Sequence, residues 1–252
     1  MNAIGVYCAA ADRREAAAGL AARWGLPWLT APPAAPHLCY DAAGLALAGG
    51  PDDPPPLRLD FDALARRRRG AEPLLRAVGA RPGLTVLDAT AGLARDAFLL
   101  ARAGCRVTAV ERLAALLALV DEALARCREQ TAAAARLRLL AGDAMDRLRR
   151  WHGAPPAVVY LDPMYEPDTA RRGAVKKDAQ WLRRLAGEEA APAAWLGAAL
   201  ELAAERVVVK RHRNAPPLGG RPPDWRVGGR RTRFDVYRVR RTTTCTAESN
   251  AR

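Results

Sequence analysis

Four carboxylates stand where an α/β chain can do chemistry: Asp88, Glu111, Asp143 and Asp162, each closing a short apolar run. After Asp88 comes Ala89-Thr90-Ala91-Gly92-Leu93-Ala94-Arg95-Asp96, a turn of small residues that lets a ligand approach the backbone closely. Gly92 is its only glycine, so it is not the G-x-G-x-x-G of a pyrophosphate loop, and a dinucleotide cofactor is poorly supported. Glu111 lies 23 residues beyond Asp88, where a carboxylate can accept hydrogen bonds from both hydroxyls of a ribose. Taken alone, it reads more readily as an acid at a helix N-terminus. Asp143 can receive an adenine amino hydrogen or simply cap the helix that follows. Asp162 is followed by Pro163, which lacks an N–H, and then by Tyr165, an aromatic on which a base can stack. Taken in order, the four acids describe a pocket for a nucleoside without phosphate, S-adenosylmethionine. Asp88 and the Gly92 turn would face its methionine end, Glu111 the ribose, Asp143 the adenine edge, and Asp162 the border with a methyl acceptor.

The elements that must position these acids follow from periodicity. Strands are predicted at 85–87, 106–110, 137–140, 157–161, 206–210 and 234–239, and helices at 95–103, 144–151 and 192–203. Leu113, Leu116, Leu117, Val120 and Leu124 recur at helical spacing and predict an amphipathic helix. Such alternation means βαβ units and a mainly parallel sheet, whose ligands bind at the carboxyl ends of the strands. Residues 1–60 combine an apolar run, a helical pattern ending near Trp24-Gly25 and Pro-rich connections, which suits a small α+β extension. A short helix is expected over 72–78. The run Arg66 to Arg69 reads equally as a solvated segment or a phosphate contact. The expected organisation is an extension over 1–60, a main α/β domain over 61–240 and a polar, disordered tail over 241–252.

Composition narrows the partners. With 252 residues, 50% of them apolar and 27% charged, the chain is long enough to bury a substantial core. No apolar run approaches the ~18 residues of a membrane helix, and the N-terminus lacks the pattern of a signal peptide. Five scattered cysteines with no C-x-x-C spacing argue against a disulfide framework or zinc site and fit a reducing cytoplasm. The net charge of +13 points to a polyanion such as nucleic acid. Only three of the cations are lysines (Lys176, Lys177 and Lys210). These and Arg211 follow strand ends on the side of the acids, which makes phosphate contact the natural reading.

Several segments resemble the bacterial ribosomal RNA small subunit methyltransferase J family. They are AARWGL (21–26), DATAGLARDAF (88–98), GCRVTAVER (104–112), VVYLDPMY (158–165), AVKK (174–177), RVVVKR (206–211) and RFDVY (233–237). The resemblance implies a class I methyltransferase fold with a mainly parallel seven-stranded sheet and helices on both faces. It also implies transfer from S-adenosylmethionine to the N2 amine of a guanine in 16S ribosomal RNA. Cofactor contacts are implied at Arg95, Asp96, Glu111, Arg112, Asp143, Ala144 and Asp162. The chain departs from the family pattern in a shortened segment after Arg69, in Ala65 where a histidine is usual, and in Asp143-Ala144 where small hydroxyl residues are common.

A guanine amine is a poor nucleophile because its lone pair is delocalised into the ring. Asp162 and the Pro163 carbonyl are positioned in sequence to accept its hydrogens, with Tyr165 stacking on the base. A sulfonium supplies its own leaving group, so the chemistry needs no metal. Alternatives are an adenine-N6 or other nucleic-acid amine methyltransferase, and a non-catalytic RNA-binding assembly factor. The full set of strand-end acids argues against the last.

Overall fold

The structure, a computed structural model, describes residues 4–66, 72–128, 131–163, 177–186, 192–229 and 232–240. Tyr165, Lys176, positions 67–69 of the arginine run and the 241–252 tail lie outside the described residues. The chain runs β1 (Val6–Cys8), α1 (Arg14–Trp24), β2 (Trp28–Leu29), β3 (His37–Asp41), β4 (Gly44–Ala48), α2 (Phe61–Arg66) and α3 (Pro73–Val78). It continues with β5 (Thr85–Asp88), α4 (Arg95–Arg102), β6 (Arg106–Glu111), α5 (Ala114–Cys127), β7 (Leu137–Ala141), α6 (Ala144–Arg149) and β8 (Val158–Leu161). Last come α7 (Lys177–Ala186), α8 (Pro192–Leu202), β9 (Arg206–His212), β10 (Trp225–Gly228) and β11 (Thr232–Arg238).

The expected mainly parallel sheet is present, with seven strands in the order β10-β11-β9-β8-β5-β6-β7. Only β11 runs against its neighbours. Strand alternation sends side chains to opposite faces, and two apolar cores result. Val86, Val158, Tyr160 and Val208 enter one; Leu87, Val159, Leu161, Val207 and Val209 enter the other. All four residues of β8 are buried, as a central strand covered on both faces requires.

From β5 the chain builds outward through β6 and β7, then crosses to β8 and β9 on the other side. That reversal opens a crevice above the carboxyl ends of β5 and β8. Asp88 pairs with Tyr160 across those two strands, so Asp162 emerges just beyond, at the rim of the same crevice.

Near the N-terminus, β2, β1, β3 and β4 form a second sheet. It corrects one expectation: α5 is not amphipathic, because every residue from Ala115 to Leu124 is buried, including Asp121 and Glu122. The segment before β5 covers the helix face that its sequence would have left to water. Arg23 Nη1 and Trp24 Nε1 both reach Asp121 Oδ2, at 3.1 Å each, while Arg126 links Glu122 (2.9 Å) to the Leu59 carbonyl (2.7 Å). Asp121 and one oxygen of Glu122 are thereby partnered, and Arg23 and Trp24 of the AARWGL segment do the fastening at Asp121. The edge strand β10 was not expected. Trp225–Gly228 is flanked by Pro222-Pro223 and Gly229, which read as loop until β11 provides a partner.

Candidate active site

A cavity of about 770 Å³ opens at the crevice and is lined by Asp88, Glu111, Asp143 and Asp162 together. The size suits a small-molecule ligand, for which pockets of ~300–1,000 Å³ are usual. Gly92, Arg95, Asp96, Arg112, Ala144, Pro163 and Arg211 also line it, so the described residues expected in the pocket do converge. Lys177 begins α7, beside the cavity-lining Asp178.

The turn after β5 is built by its own polar groups. Asp88 Oδ1 accepts from the Thr90 N–H at 3.1 Å, and Thr90 Oγ1 accepts from the Asp162 N–H at 2.6 Å. Thr90, which sequence reasoning passed over, therefore ties the β5 turn to the β8 turn. Gly92 takes a left-handed φ of 52°, which suits glycine, and gives its N–H to Glu111 Oε2 at 3.0 Å. Ala94 shares that φ at a cost a side chain normally avoids. Glu111 Oε1 accepts from the Leu113 N–H at 2.8 Å. Glu111 thus sits at a helix start, as one of its two readings has it, and it also fixes the small-residue turn against the end of β6. Asp143 likewise caps α6, but Met145 N–H (2.8 Å) and Asp146 N–H (3.2 Å) both fall on Oδ1.

A polar cluster forms around Lys210. Its Nζ lies 2.7 Å from Asp96 Oδ2 and 2.8 Å from Asp162 Oδ2. Asp96 Oδ2 also accepts the Tyr160 hydroxyl at 2.6 Å. The ammonium expected on an RNA phosphate is instead held between two carboxylates inside the site, because β9 pairs with β8 and brings Lys210 beside the β8 end. Arg211 is anchored through Nε and Nη2 to the Pro216 carbonyl at 3.1 and 3.0 Å. Tyr160 was also missed. Its only signal was a phenol in the otherwise aliphatic run VVYL.

Electrostatics set this pocket apart from the basic chain around it. Burial pushes the Asp88 carboxyl well above its ordinary range, and neighbouring Asp96 and Asp162 push the same way against the Thr90 N–H and Lys210. Burial raises Asp162 too, opposed chiefly by the Lys210 ammonium. Burial raises Glu111 against the N–H groups of Leu113 and Gly92. For Lys210, burial alone would depress the ammonium, yet the two carboxylates outweigh it and raise it above the usual lysine value. Asp96 and Asp162 thus share one ammonium with the buried Asp88 carboxyl close by, an acid-rich group that suits a cationic ligand.

Arg95 adds a second cue to the ligand. Its Nη2 pairs with Asp178 at 2.8 Å, while its Nε is buried with no partner among the described residues. A buried N–H without an acceptor is rare and fits a ligand carboxylate. Helix α7 stands over this end of the pocket. Trp181 is wholly buried with Nε1 on the Pro55 carbonyl (2.9 Å), and Leu182 lies 3.7 Å from where a Gly92 side chain would begin.

Replacing Asp88 with asparagine is expected to stabilise the protein near neutral pH while weakening its hold on a cationic ligand. Asparagine keeps the acceptor for the Thr90 N–H and removes a charge that burial disfavours. The sign follows from proton binding. Folded Asp88 holds its proton above the ordinary carboxylate value, so the parent loses stability as pH rises from that value through the raised one. The advantage of Asp88→Asn should therefore grow with pH across that window. A gain of about 1 kcal/mol would raise the melting temperature by ~2–4 °C. Equal melting curves at acidic and neutral pH would show that Asp88 carries no such penalty.

Comparison with known proteins adds names to this geometry. A family model for SAM-dependent (S-adenosylmethionine-dependent) methyltransferases matches residues 19–239. Proteins named "Ribosomal RNA small subunit methyltransferase J" include one from Pseudomonas paraeruginosa, 43% identical over 92% of this chain and 93% of its own. Another, from Pseudomonas syringae, is 42% identical over 93% and 91%. The crystal structure of a SAM-dependent methyltransferase from Neisseria gonorrhoeae is 32% identical, covers 94% of this chain and 95% of its own, and superposes with a TM-score of 0.73.

Proposed function

The chain belongs to the ribosomal RNA small subunit methyltransferase J family of S-adenosylmethionine-dependent methyltransferases, and from that premise we propose that it methylates the exocyclic N2 amine of a guanine in 16S ribosomal RNA. One observation carries the reading. Asp162 stands at the rim of the cavity with its N–H held by Thr90 and one oxygen, Oδ2, on Lys210, while Oδ1 has no partner among the described residues.

The described residues fit the cofactor. The acid excess suits its sulfonium and ammonium, and the orphaned Arg95 Nε suits its carboxylate. Glu111 is the acceptor for the ribose hydroxyls, and Asp143, through the oxygen left free by capping, for the adenine amine. When bound, S-adenosylmethionine supplies an electrophilic methyl whose departure from sulfur leaves a neutral thioether. Asp162 Oδ1 accepts a hydrogen from the guanine amine, turning its nitrogen lone pair out of conjugation and towards the methyl. As positive charge develops on that nitrogen, the carboxylate's hydrogen bond strengthens, which lowers the barrier without a strong general base, and the acidic methylated ammonium then releases its proton to solvent. Pro163 leaves no N–H to compete at this edge. We place Tyr165 against the face of the base. A guanine held in a duplex must leave its stack to reach the site.

The substrate, ribosomal RNA, and a cytoplasmic location go with this reading. Among the described residues no helix is long and apolar enough to cross a membrane. RNA contacts are proposed at Lys176, Lys177 and Arg211, while the ion pairs of Lys210 with Asp96 and Asp162 favour a role inside the pocket. Changing Lys176 and Lys177 together to alanine should flatten the log–log dependence of RNA affinity on salt by roughly one to two units, at ~0.7–0.9 per phosphate contact. Cofactor affinity should hold. An unaltered slope would move the RNA surface elsewhere.

The function is tested by supplying methyl-labelled S-adenosylmethionine with small ribosomal subunits, naked ribosomal RNA and DNA, then digesting to nucleosides. Label in N2-methylguanosine from ribosomal RNA is the expected result. Label in N6-methyladenosine, or in DNA alone, would contradict it.

A further inference from the structure

We propose that Lys210 is a positioning residue for methyl transfer, which holds Asp162 Oδ2 so that Oδ1 faces the acceptor and locks the acceptor edge to the cofactor edge through Asp96. This rests on the reading above and goes beyond it, since no phosphate or substrate contact by Lys210 is involved.

Three observations lead there. The ammonium is shared almost equally, at 2.7 Å from Asp96 and 2.8 Å from Asp162, so one side chain spans the start of α4 and the end of β8. Tyr160 donates to the same Asp96 oxygen at 2.6 Å, so Asp96 is fixed by two donors while the Asp162 side chain, beyond the end of β8, is held among the described residues by Lys210 alone through its Oδ2. The strand under Lys210 is itself braced. Arg233 pairs with buried Asp235 through two bonds (2.7 and 3.0 Å) and donates Nη1 to the carbonyls of His212 and Arg213 at the end of β9. The RFDVY segment thereby holds the strand end that carries Lys210.

The charges facing Asp162 make the role chemical rather than only structural. Asp96 from α4 and Asp88 from β5 face it as like charges, Tyr160 of β8 as a phenol, and Lys210 and Arg211 from β9 as cations. Lys210 bonds to it directly at 2.8 Å, and its ammonium is the strongest influence that lowers the Asp162 carboxyl. Without that ammonium, burial and two neighbouring acids would drive Asp162 to hold its proton, and a protonated carboxyl is a poor acceptor for an amine hydrogen. Lysine suits the place because its compact ammonium can turn three donors towards acids on different elements.

The test uses the full chain. Lys210→Met is expected to lower single-turnover methylation at saturating cofactor by roughly a hundredfold at neutral pH. The deficit should shrink as pH rises and Asp162 ionises again. Its affinity for S-adenosylmethionine, measured by calorimetry without RNA, should depend on pH more steeply than the parent's. Lys210→Arg, keeping the charge but not the shape, should restore the parent's pH profile with part of its rate. Should Lys210→Met fail to fold, Lys210→Gln takes its place under the same outcomes. A pH profile parallel to the parent's, with only a lower melting temperature, would make the pair structural and overturn the inference. A full rate with an RNA salt slope reduced by ~0.7–0.9 would make Lys210 a phosphate contact and overturn it equally. Should the parent methylate no guanine in ribosomal RNA, the proposed function fails, and the calorimetric arm still decides on Lys210.

Discussion

Asp162→Ala is expected to slow single-turnover methylation by about a hundred- to a thousandfold at saturating S-adenosylmethionine, the usual cost of removing one preorganised hydrogen-bonding group from a water-poor site. Its N–H stays on Thr90 whatever the side chain, so the β8 turn should survive. Two things are lost: the acceptor at Oδ1 and the second partner of Lys210, which keeps only Asp96. Asp162→Asn separates them. It keeps a neutral oxygen at the rim and gives up the charge, so its rate should fall between parent and alanine. Thermal unfolding runs alongside, because a carboxylate that only braced the turn would cost stability and leave the rate per folded molecule intact. A full rate in Asp162→Ala would remove the residue from the chemistry.

Glu111→Ala carries the second large effect, on binding. Losing a charged acceptor costs about 1.5–3 kcal/mol, or roughly ten- to a hundredfold in affinity. The geometry favours the upper end, since Glu111 also holds the Gly92 and Leu113 N–H groups, at 3.0 and 2.8 Å. Alanine would free the small-residue turn as well as remove the ribose acceptor. Glu111→Gln keeps one carbonyl oxygen and should lose less. Calorimetry with S-adenosylmethionine reads the difference, and an unchanged dissociation constant in Glu111→Ala would take this residue out of the cofactor site.

Much of the site was legible because a parallel sheet translates order into place. Once strands end at Asp88 and Glu111, and Asp143 and Asp162 follow the ends of two more, the sheet topology delivers all four to one edge. The small-residue turn after Asp88 was legible for the same reason, although its ties to Glu111 and Thr90 were not: they join residues far apart in sequence. Composition drew Lys210 towards RNA, and its place between Asp96 and Asp162 was not legible. In a chain of net charge +13 a lysine at a strand end resembles one more surface cation, and only the pairing of Leu161 with Val209 brings it beside Asp162. A signal did exist, a lysine within a run of valines in a chain whose cations are nearly all arginine. The all-round burial of α5 could not be read locally, because the second sheet that covers it comes from 66 or more residues earlier in the chain. Its strands lie among prolines that read as loops. Asp143 shows that two readings of one residue need not compete, since a cap uses one carboxylate oxygen and leaves the other.

The central claim is that the strand-end carboxylates hold S-adenosylmethionine with its methyl directed at Asp162. A crystal structure of the protein with this cofactor tests it most directly. The account predicts the ribose hydroxyls on Glu111, the adenine amine at Asp143, the carboxylate on the Arg95 Nε, and the sulfonium methyl facing the Asp162 rim. A cofactor bound outside the cavity, or seated in it with the methyl turned away from Asp162, would contradict it.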